Sequence, residues 1–168
     1  MSDIRVAVLV ASDSGAAGDR ADRSGKLIEE LVTAAGWIAS EKVITPDDRA
    51  VIAAQLRSWA DGGDVELIVT TGGTGVGPRD VTPEATLDVV DRLVPGMAEQ
   101  MRAQTVSQTP MAMTSRQVVG IRGQTLIVNF PGSPKAVQEC MDVLMPVLPH
   151  VLEVLAQPRT DEHPTQQA

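Results

Sequence analysis

Two glycine-rich segments of the sequence combine residue types that bind phosphate. Segment 71–80 (TGGTGVGPRD) holds four glycines and ends in an Arg-Asp pair. Segment 129–136 (NFPGSPKA) places Ser133 at the expected start of a helix, with Lys135 beside it. Glycine lets backbone N–H groups approach phosphate oxygens, and a helix start adds favourable partial positive charge. Both segments therefore predict anion binding.

Segment 71–80 matches neither of the two commoner phosphate-binding motifs. A Walker A loop ends in Gly-Lys-Ser/Thr, whereas Gly77 is followed by proline and arginine. A dinucleotide-binding fingerprint that began at Gly73 would need a small residue at position 78, where proline stands. A wide surface turn is the structural alternative for these glycines. For segment 129–136 the alternative is a well-capped helix, although that leaves unexplained a lysine at a helix start, where the dipole disfavours cations.

Strands and helices alternate along the sequence around these segments. Valine-rich apolar runs predict strands, and apolar residues at helical spacing predict helices. Strands are predicted at 4–11, 38–44, 65–70, 116–121 and 124–130. Helices are predicted at 26–35, after 47 or 48, from 82, from 96 and at 134–156. Pro146 and Pro149 are expected to kink or split the last of these helices. The predicted fold class is α/β: a three-layer α/β/α sandwich with a doubly wound, mostly parallel sheet and an antiparallel edge strand. Ligands are expected at the carboxyl ends of the strands, where both glycine segments lie.

Length and composition limit the classes of protein. The 168 residues fit one domain, which we place at 1–157, followed by a polar tail at 158–168 that is predicted to be disordered. The net charge of −8 gives no sequence-wide attraction to nucleic acid or to an anionic membrane. One cysteine and two histidines exclude a disulfide framework and the familiar zinc spacings. We find no signal-peptide pattern and no membrane-spanning apolar run, so a cytoplasmic protein is expected.

Taken in order, the polar motifs resemble those of the molybdopterin adenylyltransferase family, which shares them with the G domain of gephyrin and its plant counterpart. The resemblance runs from about residue 4 to residue 155. Phe130 is a departure, since leucine is more usual before Pro-Gly in the family. The motifs are Ser12-Asp13 with Asp22-x-Ser24-Gly25, Thr70-Thr71-Gly72-Gly73-Thr74-Gly75 with Arg79-Asp80-x-Thr82-Pro83-Glu84-Ala85, Ser115-Arg116, and Pro131-Gly132-Ser133-Pro134-Lys135-Ala136.

The resemblance implies Mg²⁺-dependent adenylylation of molybdopterin by ATP, with release of pyrophosphate, in a homotrimer. It implies that Asp47 and Asp80 serve the metal, and together with Lys135 they form the expected catalytic set. The implied substrate- and nucleotide-binding residues are Ser12, Asp13, Asp22, Ser24, Thr71, Gly72, Gly73, Thr74, Gly75, Arg79, Thr82, Ser115, Arg116, Pro131, Gly132 and Ser133.

The chemistry gives an independent reason for these residue types, because two polyanions must be brought together. Magnesium prefers a few carboxylate oxygens together with substrate phosphates. Lys135, Arg79 and Arg116 are the candidates to stabilise charge on the leaving pyrophosphate.

Each side chain also has a structural alternative. Asp47 could simply cap a helix, and Asp80 could pair with Arg79 or close a turn. Ser24 and Thr82 are expected to be helix caps, and Cys140 is expected in the core. At the level of the whole chain, the alternatives are a molybdopterin-binding paralogue with little transferase activity and a scaffold module of the same fold.

Overall fold

The computed structural model describes residues 4–157, in which six strands and seven α-helices alternate. The strands are β1 (Arg5–Ala11), β2 (Ile38–Thr45), β3 (Leu67–Thr71), β4 (Arg92–Leu93), β5 (Val119–Arg122) and β6 (Thr125–Phe130). The helices are α1 (Asp13–Ala16), α2 (Ser24–Ala34), α3 (Arg49–Gly62), α4 (Thr82–Leu87), α5 (Pro95–Thr105), α6 (Pro134–Leu144) and α7 (Leu148–Leu155), with a 3₁₀ segment at Pro110–Thr114.

All six strands form one sheet in the order β2-β1-β3-β6-β5-β4. The pairs β1–β2, β1–β3 and β3–β6 are parallel, whereas β5 runs antiparallel to both β6 and β4. A mostly parallel sheet with antiparallel pairing at one edge is therefore confirmed. Strand β4 was not predicted, because its two exposed residues carry no alternating pattern.

The helices cover both faces of the sheet, as the three-layer prediction requires. Successive residues of β1 point to opposite faces, so that Val6, Val8 and Val10 pack with α2, α5, α6 and α7. The residues between them pack against α3 and α4. A parallel strand buried on both faces reads as one continuous apolar run, which is why β1 could be recognised from the sequence.

Several helix boundaries follow the sequence signals and two do not. The last helical stretch is split between Leu144 and Leu148, as the two prolines predict. The expectation that Ser24 and Thr82 are caps is wrong: each is the first residue of its helix, and neither helix has a side-chain cap at the preceding position. At α2 the carboxylate of Asp22 instead accepts the N–H of Gly25 at 2.7 Å.

Within residues 4–157, no helix is both long and apolar enough to cross a membrane. The predicted tail at 158–168 lies outside the described residues.

Candidate functional site

The two glycine segments meet at the carboxyl ends of adjacent strands. Segment 71–80 follows β3 and segment 129–136 follows β6, its neighbour in the sheet. The Thr71 hydroxyl donates to the carbonyl of Pro131 at 2.8 Å, and the N–H of Gly72 donates to the carbonyl of Phe130 at 3.2 Å. The predicted juxtaposition is thus built by direct contacts between the two loops.

Two glycines allow these loops to approach each other and the first strand. Gly72 has a φ of +94°, and a Cβ there would lie 2.3 Å from the carbonyl oxygen of Ala11 at the end of β1. Gly73 has a φ of +64°, and its Cβ would lie 2.5 Å from Thr82 Oγ1 and 3.2 Å from Asp47 Oδ1. Only glycine accommodates both the left-handed backbone and these contacts.

Two adjacent pockets open at this edge of the sheet. The first, of about 550 Å³, lies between the loop after β1 and the two glycine segments. The second, of about 450 Å³, lies between the glycine segments, α5, the 3₁₀ segment and α6. Both volumes are of the size that small-molecule sites take. The pockets share Gly73, Asp80, Gly132 and Ser133.

Most of the predicted site residues line these pockets. Ser12, Asp13, Asp22, Ser24, Asp47, Thr71 and Gly72 line the first alone. Thr74, Gly75, Ser115 and Pro131 line the second alone. The predicted residues that line neither pocket are Arg79, Thr82, Arg116 and Lys135.

A network of carboxylates lies on the wall of the first pocket. The backbone N–H of Asp13 donates to Asp47 Oδ2, and the N–H of Asp47 donates to Asp13 Oδ1, both at 2.9 Å. Asp80 Oδ2 accepts the N–H of Gly77 at 2.8 Å. Helix α3 is capped by Asp48, whose carboxylate accepts hydrogen bonds from the N–H groups of Ala50 and Val51. The capping alternative for Asp47 is therefore wrong.

Burial raises the pKa of Asp47, and repulsion from the carboxylates of Asp13 and Asp80 adds to that rise. The N–H of Asp13 and the charge of Arg79 act in the opposite direction without cancelling it. The pKa of Asp13 itself is lowered, chiefly by its hydrogen bonds from Arg79. Carboxylates that repel one another at a pocket wall favour a bound cation, which would relieve the repulsion.

Asp47→Asn is expected to raise the thermal unfolding midpoint near neutral pH and to lower any metal-dependent activity. The folded-state pKa of Asp47 is raised, so its ionised form costs stability above that pKa, and this cost fades as the pH falls through it towards the ordinary aspartate value. The amide oxygen can still accept the N–H of Asp13. Melting curves from pH 4 to pH 8 check this: a gain that did not shrink towards acid pH would contradict the pKa argument.

No group of three or more His, Cys, Asp or Glu side chains comes together as a metal cage within residues 4–157. A site with one or two carboxylates still fits magnesium, because this ion keeps several waters and is bound by one or two protein carboxylates together with substrate phosphates. Asp47 and Asp80 are the residues that could hold it.

The three predicted cations have other partners. Arg79 makes two hydrogen bonds to Asp13, at 3.0 and 2.9 Å. Arg116 donates to the carbonyls of Gly75 and Asp80, at 2.7 and 2.6 Å, and pairs with the carboxylate of Glu84. Arg116 therefore braces the glycine loop. Lys135 is 75% exposed on the rim, and its Nζ lies 3.7 Å from Glu139.

The structure brings three further arginines to the pockets. Arg20 and Arg23 line the first pocket and Arg102 lines the second. None of the three forms a salt bridge within the part of the chain that the structure describes. Arg20 and Arg23 flank Asp22, so their position beside the Asp22-x-Ser24-Gly25 motif could have identified them as candidate site residues. Arg102 lies on α5, away from every motif, and no sequence pattern points to it.

Cys140 also lies at the second pocket. Burial raises the pKa of its thiol to about 12, with a smaller contribution from the charge of Glu139. Because the thiolate is the nucleophilic form, Cys140 is not suited to covalent catalysis near neutral pH.

Known proteins with similar sequences and folds identify the family of this α/β domain. Residues 7–150 match the family described as "Probable molybdopterin binding domain". A molybdopterin adenylyltransferase of Helicobacter pylori is 38% identical over 164 residues, covering 92% of this chain and 89% of the relative. That of Escherichia coli K12 is 40% identical over 144 residues, covering 84% and 74%.

Solved structures show the same fold. The molybdopterin biosynthesis enzyme MoaB from Thermus thermophilus matches with a TM-score of 0.86 and 44% identity, covering 94% of this chain and 99% of its own. The molybdopterin biosynthesis Mog protein from Mycobacterium ulcerans matches with a TM-score of 0.85 and 37% identity, covering 91% and 99%. The chain therefore belongs to the molybdopterin adenylyltransferase family of molybdenum cofactor biosynthesis.

Proposed function

We propose that this protein transfers the adenylyl group of ATP to the phosphate of molybdopterin, giving adenylyl-molybdopterin and pyrophosphate. The observation that carries the proposal is the common wall of the two pockets, formed by Gly73, Asp80, Gly132 and Ser133. A reaction between two phosphorylated molecules needs one place where both phosphates meet. The common wall supplies it, with glycine backbone and the start of α6, where Ser133 caps the helix.

The first pocket suits the triphosphate of ATP. It is lined by Arg20 and Arg23 and by the carboxylates of Asp13, Asp47 and Asp80. Asp47 and Asp80 would hold a magnesium ion, which supplies charge neutralisation for the phosphates. The second pocket, lined by Arg102 and by both polar and apolar side chains, is then the one assigned to molybdopterin.

The reaction is an in-line displacement at the α-phosphorus of ATP. A bond forms between a phosphate oxygen of molybdopterin and the α-phosphorus, and the bond from that phosphorus to the bridging oxygen of the β-phosphate breaks. The electron pair leaves with pyrophosphate. Arg20 and Arg23, which line the first pocket, would stabilise that charge. Lys135, two residues after the shared Ser133, can add to it when its side chain leaves Glu139.

Purified protein with ATP, magnesium and molybdopterin should release pyrophosphate and form adenylyl-molybdopterin. Pyrophosphate is measured by a coupled assay, and the adenylylated product by mass spectrometry. Molybdopterin binding without pyrophosphate release would instead favour a binding-only paralogue or a scaffold. The homotrimer stays a prediction that light scattering tests; Met111 and Met113, which are 66% and 71% exposed, offer apolar surface for such contacts.

Arg20→Ala and Arg23→Ala are each expected to raise the dissociation constant for ATP about tenfold, or ~1.4 kcal/mol. Each change removes a guanidinium that lines the first pocket and forms no salt bridge with a carboxylate of residues 4–157. Titration calorimetry with ATP and magnesium measures the effect, which should weaken at high salt. Arg92→Ala is the control, because Arg92 is an exposed arginine on β4 outside both pockets. Equal losses in all three variants would contradict a phosphate-binding role.

A further inference from the structure

Glu139 lines the second pocket, and one of its carboxylate oxygens accepts no hydrogen bond within residues 4–157. The residue lies on α6, and its side chain is 10% exposed. Its Oε1 atom is buried and accepts no hydrogen bond within residues 4–157. The nearest cation, Lys135 Nζ, is 3.7 Å away, too far for a hydrogen bond, and belongs to a mostly exposed side chain.

An unpaired carboxylate oxygen in a buried position is costly. The penalty is removed when a donor arrives, so an occupant of the pocket with N–H groups would gain binding energy there. Within the described residues, the one salt bridge of Glu139 is the 3.7 Å contact with Lys135 of the same helix. A ligand donor in the second pocket would supply the hydrogen bond that this oxygen lacks.

The remaining polar groups of the second pocket define what kind of ligand fits. Arg102 donates to the carbonyl of Gln117 at 3.1 Å and forms no salt bridge in the described part of the chain. The Ser115 hydroxyl hydrogen-bonds to the side-chain carbonyl of Gln117 at 2.9 Å. The pocket thus offers a carboxylate oxygen that accepts no hydrogen bond within residues 4–157 and a guanidinium with N–H donors beyond the one that Gln117 uses. Together they suit a heterocycle that carries N–H groups and a carbonyl.

We propose that Glu139 is a specificity-determining residue that accepts hydrogen bonds from the amino group and the adjacent ring N–H of a 2-amino-4-oxo pyrimidine ring, the edge that a pterin presents. The inference rests on the proposed function, which assigns the second pocket to molybdopterin. A carboxylate can accept both donors of that edge at once. Adenine offers one amino donor beside a ring acceptor, so the same carboxylate disfavours ATP in this pocket.

Two stable probes isolate this edge. Pterin-6-carboxylate carries the 2-amino group, and lumazine-6-carboxylate has a carbonyl in its place. Wild-type protein should bind the pterin at least about tenfold more tightly than the lumazine. The lumazine keeps the ring N–H, but its 2-carbonyl removes the amino donor and repels the carboxylate oxygen that would have accepted from it. Glu139→Gln should weaken pterin binding about tenfold and narrow or reverse the preference, because its amide can donate to the lumazine carbonyl.

Asp142→Asn is the matched control. It removes the same charge from the same helix, and Asp142 accepts a hydrogen bond from Gln138 outside the second pocket. The control should leave both dissociation constants unchanged. ATP binding, measured on every variant, reports whether the first pocket is intact.

The outcomes separate this inference from the proposed function. If wild-type protein shows no preference for the pterin probe, or if Glu139→Gln keeps the wild-type preference, the role of Glu139 is overturned even when pyrophosphate release is normal. If the preference depends on Glu139 but wild-type protein releases no pyrophosphate from ATP and molybdopterin, the transferase proposal fails while the recognition of the ring edge stands.

Discussion

Asp80→Ala is expected to lower the rate of pyrophosphate release by about 100-fold or more, with little change in the affinity for molybdopterin. Asp80 belongs to the wall shared by both pockets, and its charge is close enough to raise the pKa of Asp47. Removing it takes away one of the two carboxylates proposed to hold the metal where charge develops. Single-turnover assays with saturating ATP and magnesium measure the chemical step.

A second variant separates charge from loop geometry. Asp80 Oδ2 accepts the N–H of Gly77, and Asp80→Asn retains an oxygen that can accept this bond. Both variants should therefore lose activity, and Asp80→Asn should do so with the loop in place. Asp64→Asn, at an exposed carboxylate of the loop before β3, is the control and should behave as wild type. Near-normal turnover of Asp80→Asn would show that Asp80 acts through the loop alone.

Gly72→Ala is expected to lower the free energy of unfolding by about 2–5 kcal/mol and to abolish activity. The left-handed backbone at position 72 accounts for the smaller part of this loss. The larger part comes from the added methyl group, which would lie 2.3 Å from the backbone oxygen of Ala11. Since β1 is buried and paired on both sides, with β2 and β3, the loop must move instead, and the wall shared by the two pockets moves with it.

Gly36→Ala supplies the matched control. Gly36 also has a positive φ, of +78°, but nothing lies within 4 Å of the position that its Cβ would take. Its cost should be the backbone strain alone, about 1–2 kcal/mol, with normal activity. Urea unfolding measures both variants. Equal destabilisation by the two substitutions would show that contact with Ala11 contributes nothing.

The sequence predicted the fold class and the sheet edge at which the two glycine-rich segments meet, because both depend on local patterns. Continuous apolar runs such as that of β1 are typical of strands buried on both faces, and the helical spacing of the intervening segments fixed the alternation. Parallel strands joined by helices bring the loops after β1, β3 and β6 to one edge, so two glycine-rich segments far apart in the chain could be expected to meet. Short elements escaped prediction: β4 has only two residues and α1 only four.

The residue types of the candidate site and the sheet edge at which they gather follow from local sequence patterns. Which charged groups are paired follows only from the folded arrangement of the chain. Arg79 and Arg116 read as phosphate ligands in the motifs, yet in the folded chain they are bound to Asp13 and to the glycine loop. Arg20 and Arg23 line the first pocket and form no salt bridge within residues 4–157, and Glu139 Oε1, at the second pocket, accepts no hydrogen bond there. The physical reason is that pairing between charged side chains depends on distances of a few ångströms between elements remote in sequence, and no local pattern records those distances.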